Sequence, residues 1–158
     1  MRITISAIAL ALVMFLAVRP AHALLQAVGW LGYGHVFQEG EDDSLGPTVE
    51  VGPSFSVPFL ALDLTYWTDL DDAGEASQLR LGGRVKPPLI PLYGRLAFGL
   101  PLDSDTRDVL GTDIILGAGF EVLSLALLKF NIELDYHVWT EADGFHPLEA
   151  KVGVAIGF

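Results

Sequence analysis

At 158 residues the chain suits one domain, and nine lysines and arginines against twenty aspartates and glutamates give a formal net charge of −11, which argues against a nucleic-acid partner. Hydrophobic residues make up 51% of the chain, yet only the N-terminus approaches an uninterrupted apolar run long enough to cross a bilayer as a helix, which excludes a helical membrane bundle. There is no cysteine, hence no disulfide framework, no thiolate chemistry and no acylated cysteine.

The N-terminal stretch MRITISAIALALVMFLAVRPAHA has a basic start at Arg2, an apolar core from Ile3 to Val18, and a small-x-small site at Ala21-His22-Ala23. Those are the parts of a cleaved secretory signal, so residues 1–23 are expected to be removed and 24–158 to form the mature domain. Arg2 and Arg19 leave with the signal, so seven basic residues then face all twenty acidic ones.

From there the chain alternates apolar and polar residues with the period of a β-strand. A first segment around Gln26 to Gln38 is assigned Gly29, Leu31 and Tyr33 on one face and Gly32 and Gly34 on the other. TVEVGPSFSV (48–57) sets Glu50, Gly52 and Ser54 against Val49, Val51 and Phe55, and FLALDLTYWT (59–68) sets Asp63, Thr65 and Trp67 against Leu62, Leu64 and Tyr66. SQLRLGGRVK (77–86) carries Arg80, Arg84 and Lys86 on its polar face, and LYGRLAFGL (92–100) carries Tyr93 and Arg95. TDIILGAGFEV (112–122) places Asp113, Gly117 and Glu121 together, and LKFNIELDYHVW (128–139) alternates Lys129, Asn131, Glu133, Asp135 and His137 with large apolar residues. The closing segment runs from Glu149 through KVGVAIGF. Pro53 departs from the pattern, because a closed sheet has no edge strand and a mid-strand proline then needs a bulge or an unpaired neighbour.

The connections alternate as well. Short, uncharged ones fall around Pro58, around 87–91 and around Leu123-Ser124-Leu125; long acidic ones are QEGEDDSLGP, DLDDAGEAS, PLDSDTRDVLGT and TEADGFHP. This is the rhythm of an up-and-down antiparallel meander with turns at one end and loops at the other.

Charge decides which face is inside. Arg80, Arg84, Lys86, Arg95, Lys129 and Lys151 lie on the same strand faces as Glu50, Asp63, Glu121, Glu133, Asp135 and Glu149, with Asp113 near a strand end. The loops hold the excess, with Glu39, Glu41, Asp42, Asp43, Asp69, Asp71, Asp72, Glu75, Asp103, Asp105, Asp108, Glu141 and Asp143 against Arg107 alone. Near-balanced charge on one face suits an enclosed space, where an unpaired charge is costly. The expected fold is therefore all-β: an eight-stranded antiparallel up-and-down transmembrane barrel with a filled polar interior, in which the strand acids pair with Arg80, Arg84 and Arg95. Tyr66 and Tyr136 fall on the outer face near the loop ends, as an interfacial aromatic girdle would, whereas Trp67 and Trp139 have inner parity.

The terminal row of Val152, Val154, Ile156 and Phe158 resembles the C-terminal signal read by the barrel-insertion machinery of the bacterial outer membrane. With the signal sequence and eight alternating segments, the chain resembles the small eight-stranded outer-membrane barrels, such as the membrane domain of outer membrane protein A and the outer membrane protein X group. The resemblance implies a monomer in a Gram-negative outer membrane, surrounded by lipid and lipopolysaccharide and delivered by periplasmic chaperones.

Function is less legible. Asp135 and His137 could form an acid–base pair, but a lipid A deacylase or acyltransferase needs a Ser/His pair on the lipid-facing row, and segments 48–158 supply none. A structural or surface-interaction role, without catalytic residues or cofactor, leads; a lipid-modifying enzyme or a narrow small-solute channel is the alternative. One possible metal set remains at the loop rim, where His35, His137 and His146 are expected near Glu141 and Asp143.

Overall fold

The period-two segments become eight strands in the computed structural model, which describes residues 25–36, 44–71, 76–87, 90–103, 111–125, 127–141 and 146–158. They are β1 (Leu25–Val36), β2 (Ser44–Val57), β3 (Leu60–Asp69), β4 (Ser77–Val85), β5 (Leu92–Pro101), β6 (Asp113–Ser124), β7 (Leu128–Trp139) and β8 (Pro147–Gly157). Each pairs antiparallel with the next, and β8 pairs with β1, so the sheet closes into a barrel in the order of the chain. The expected signal segment, residues 1–23, and the loop residues Glu39, Glu41, Asp42, Asp43, Asp72, Glu75, Asp105, Arg107, Asp108 and Asp143 lie outside the described residues.

Closure removes the exposed edge that an open sheet would offer to other chains. The seam runs in one register from Gln26↔Gly157 to Val36↔Pro147. Phe158 finishes it: its backbone N–H donates to the Leu25 carbonyl at 3.0 Å while its side chain is 77% exposed.

Facing follows the alternation. Large apolar side chains such as Leu31, Leu64, Leu81, Leu96, Leu116, Ile132 and Val152 stand on the outside. Arg, Lys, Asp and Glu side chains are buried within, and so are Trp30, Trp67 and Trp139. Tyr66 and Tyr136 are exposed on the outer wall, opposite in facing to their tryptophan neighbours. On β1, Leu31 and Tyr33 point out and Gly34 is buried, as assigned from sequence. Leu123 and Ser124, read as turn, instead extend β6 beyond a register shift between Glu121 and Leu123. The bulge lets one strand carry an extra residue without reversing the facing of the rest.

Pro53 is accommodated without a bulge. β2 and β3 keep one register from Thr48↔Asp69 to Val57↔Leu60, but Gly52 and Pro53 have no partners on β3. Pro53 lacks the N–H a ladder would use. Gly52 allows the backbones to approach, since a Cβ there would stand 2.7 Å from Thr65 Cα.

Gly153 solves a packing problem at the seam. It lies opposite Trp30, whose buried ring occupies the space a side chain would need, and a Cβ would meet Trp30 Cζ3 at 2.6 Å. Gly153→Ala should therefore destabilise the barrel by about 1–3 kcal/mol through overpacking. Adding Trp30→Leu should recover part of that loss in urea unfolding of the refolded protein. A single variant with the wild-type midpoint would mean that Trp30 shifts freely.

Candidate functional site in the barrel interior

The interior is a stack of ion pairs held by aromatic rings. At its centre is Glu50, placed by β2 between Trp30 of β1 and Trp67 of β3. It accepts from Arg80 Nη1 at 3.1 Å, Arg95 Nη2 at 2.5 Å, Lys151 Nζ at 3.1 Å and the Thr65 hydroxyl at 2.6 Å. These donors come from β4, β5, β8 and β3, so one carboxylate ties the wall together across the lumen.

Arg95 and Lys151 continue from there to β7. Arg95 Nη1 lies 2.7 Å from Glu133 and 3.1 Å from Asp135. Lys151 Nζ lies 2.9 Å from Glu133 and also contacts Asp135. Towards the turn end, Arg84 makes a bidentate pair with Asp63 at 2.7 and 2.6 Å, also donating to Ser54. Its guanidinium sits 5.8 and 5.7 Å from the ring centroids of Trp30 and Tyr93. Such paired and stacked geometry offsets the desolvation that burial imposes on an arginine. Near that end Lys86 and Glu121 pair at 3.1 Å, each partly exposed, and Lys129 is buried.

Some directly opposed residues carry like charge. Arg84 faces Arg95 across β4–β5, and Asp135 faces Glu149 across β7–β8. Like charges directly opposite each other destabilise a sheet. The conflict is relieved because Arg84 turns to Asp63 while Arg95 reaches the far wall.

Towards the loop end, Arg80 stacks on Trp67 at 4.3 Å and spans Glu50, Asp113 at 3.4 Å and Glu149 at 3.6 Å. Glu149 also accepts from Trp67 Nε1 at 3.3 Å and from the Thr48 hydroxyl. His137 sits in the same layer, its Nδ1 2.7 Å from Asp113 and its Nε2 3.0 Å from Glu149. A neutral imidazole donates only one hydrogen bond, so one of these two contacts needs a further proton, on the ring or on a carboxyl, or a bound cation.

The structure brings Glu50, Arg80, Arg95, Glu133, Asp135 and Lys151 into contact with partners across the lumen, and pairs Asp63 with Arg84 on the adjoining strand. Glu121 is placed apart from the arginines and meets Lys86. The three rim histidines are not brought together. His137 is buried inside, His146 lies 6.1 Å from the ring of outward-facing Tyr136, and His35 follows Leu31 and Tyr33 on the outward row. One-residue parity separates them: neighbours along a strand face opposite sides of the sheet. Sequence reasoning passed over Thr48, Thr65, Gln78 and the tryptophans as partners, although their inner parity marked them.

Nor does His137 form a nucleophile–base pair. Both ring nitrogens meet carboxylates, and the nearby Thr48 and Thr65 hydroxyls donate to Glu149 and Glu50.

A closed antiparallel barrel, apolar outside and filled with paired charge inside, is a transmembrane β-barrel: every strand finds its partners within the sheet, which lipid demands. No family model matches the chain, and no curated protein matches it. Among solved structures it is similar to the crystal structure of Neisserial surface protein A, with a TM-score of 0.54 and 15% identity over 85% of this chain and 97% of that one. It also aligns with the KdgM porin at a TM-score of 0.35 and 14% identity, over 82% of this chain and 99% of that one. The first of these similarities shows a shared barrel fold, that of the small outer-membrane barrels.

Proposed function

We propose that the mature chain is a monomeric barrel of the bacterial outer membrane with a structural or surface-interaction role. Its wall serves as a rigid mount for four acidic loops on the cell surface. The observation that carries this reading is the filled lumen: Trp67, Arg80, His137, Gln78 and Glu149 are fully buried in mutual contact, which suits a scaffold better than a conduit or a catalyst. Periplasmic chaperones would deliver the chain, and the insertion machinery would read Val152, Val154, Ile156 and Phe158. The acidic loops would meet lipopolysaccharide and other surface partners through solvent or bridging cations, since they carry one basic residue, Arg107.

Topology tests this reading. Cysteines in place of Asp71 and Glu141, both exposed at the loop end, should react with an impermeant maleimide on intact cells. A cysteine in place of Ser124, exposed at the turn end, should react only after lysis. Labelling confined to Ser124 would invert the orientation, and equal labelling of all three would remove the outer-membrane assignment. Lipid A mass spectra should be identical with and without the gene; a missing or added acyl chain would restore the enzymatic alternative.

A further inference from the structure

We propose that the lumen holds a divalent first-row transition-metal ion between Asp135, His137 and Glu149, the side of the network nearest the loops. Asp135 and His137 are two residues apart on β7, so both point inward, and Glu149 is directly opposite Asp135 on β8. Two ligands on one strand and a third across the ladder form a compact triad that a sheet can present without loops. One potential ligand atom from each residue lies within 4.8 Å of the others, and all three residues are buried.

Several independent features point to a cation there. The Asp113 carboxylate is 2.7 Å from His137 Nδ1, a contact that suits a proton on that nitrogen, and Nε2 faces Glu149. A carboxylate on the far nitrogen is the usual outer partner of a metal-bound histidine. Nε2 and Glu149 Oε2 stand 3.0 Å apart, close to the separation of about 3.3 Å between ligand atoms on a tetrahedral zinc ion, with Arg80 Nη1 on the same oxygen at 3.6 Å. Asp135 is fully buried, and although its Oδ2 contacts Arg95 and Lys151, its Oδ1 has no hydrogen-bond partner. A rotation of that carboxylate supplies the third ligand.

The balance of charge permits an ion there. The buried side chains include five lysines and arginines, Arg80, Arg84, Arg95, Lys129 and Lys151, against six carboxylates, Glu50, Asp63, Asp113, Glu133, Asp135 and Glu149. With a neutral imidazole these groups sum to one negative charge, and a bound divalent ion would bring them to one positive charge. One nitrogen and two carboxylate oxygens suit zinc, manganese or iron(II) better than the soft ions that prefer sulfur. The ion would lock β6, β7 and β8 together below Trp139, whose ring stacks on His137 at 6.3 Å.

The test uses the mature protein refolded in detergent, with Co²⁺ or Zn²⁺ supplied both during and after refolding, because the site is enclosed. Co²⁺ should give visible d–d absorption at one ion per chain, and Zn²⁺ should displace it and quench or shift tryptophan emission. Asp135→Asn and His137→Ala should weaken binding at least tenfold, whereas His35→Ala and His146→Ala should leave it unchanged. Retained heat-modifiable gel migration will show which variants fold. Wild-type barrel that folds yet binds no Co²⁺ under either protocol overturns the proposal. Binding lost in His35→Ala or His146→Ala would move the site to the rim, and binding untouched in a folded Asp135→Asn would remove Asp135 from it; either result overturns the proposal.

Discussion

Glu50→Ala should lower the unfolding free energy of the refolded barrel by about 3–5 kcal/mol, measured as a shift of the urea midpoint at unchanged slope. The reason is what the substitution leaves behind. Arg80, Arg95 and Lys151 all contact this carboxylate, and each is buried in the lumen without ready access to water. Arg80 retains Asp113 and Glu149, and Arg95 and Lys151 retain Glu133 and Asp135, but three buried cations lose the acceptor they share, and Arg95 Nη2 loses the carboxylate oxygen it donates to. Glu133→Ala should cost less, because Glu50 and Asp135 still engage the same two cations. Equal midpoints for wild type and Glu50→Ala would mean that water enters the interior freely, and the filled-lumen reading would fall.

The second large effect belongs to the outer wall. Leu81 lies midway along β4 between Leu64 and Phe98 and is 61% exposed. If this face meets hydrocarbon, Leu81→Arg should destabilise the barrel in lipid vesicles by about 2–4 kcal/mol, the range for an arginine at the midplane. Leu70→Arg, at the loop end of β3, should cost only about 0–1 kcal/mol, since the penalty fades towards the interface. Two substitutions of the same chemistry are thus separated by depth alone. In a water-soluble barrel both would fall within about 0.5 kcal/mol of wild type, so similar small values would refute the membrane assignment.

How far the chain discloses itself depends on the range of the interaction involved. Strand period is local: a side chain's facing is set by its position in a two-residue repeat, so LKFNIELDYHVW alone is enough to put Lys129, Glu133, Asp135 and His137 on one side and Phe130, Leu134 and Tyr136 on the other. Charge balance summed over the strands then chose the inside, because enclosed charge must be paired and lipid-facing charge is excluded. The metal-rim expectation failed to bring its residues together for a related reason. His35, His137 and His146 are close in height on neighbouring strands, but height does not determine facing.

Local alternation, composition and connection lengths are therefore enough to read off the number of strands, their facing, their antiparallel order and the polar filling. The tertiary structure alone decided the partners. Arg84 takes Asp63, Glu121 takes Lys86, and Glu50 gathers three cations, because strand register and stagger bring together side chains separated by up to 101 positions in the chain. It also decided that Gly52 and Pro53 interrupt the β2–β3 ladder without a bulge, and that Gly153 makes room for Trp30 at the seam. Those outcomes rest on distances across a closed lumen, where the curvature of the whole sheet sets which charges can meet.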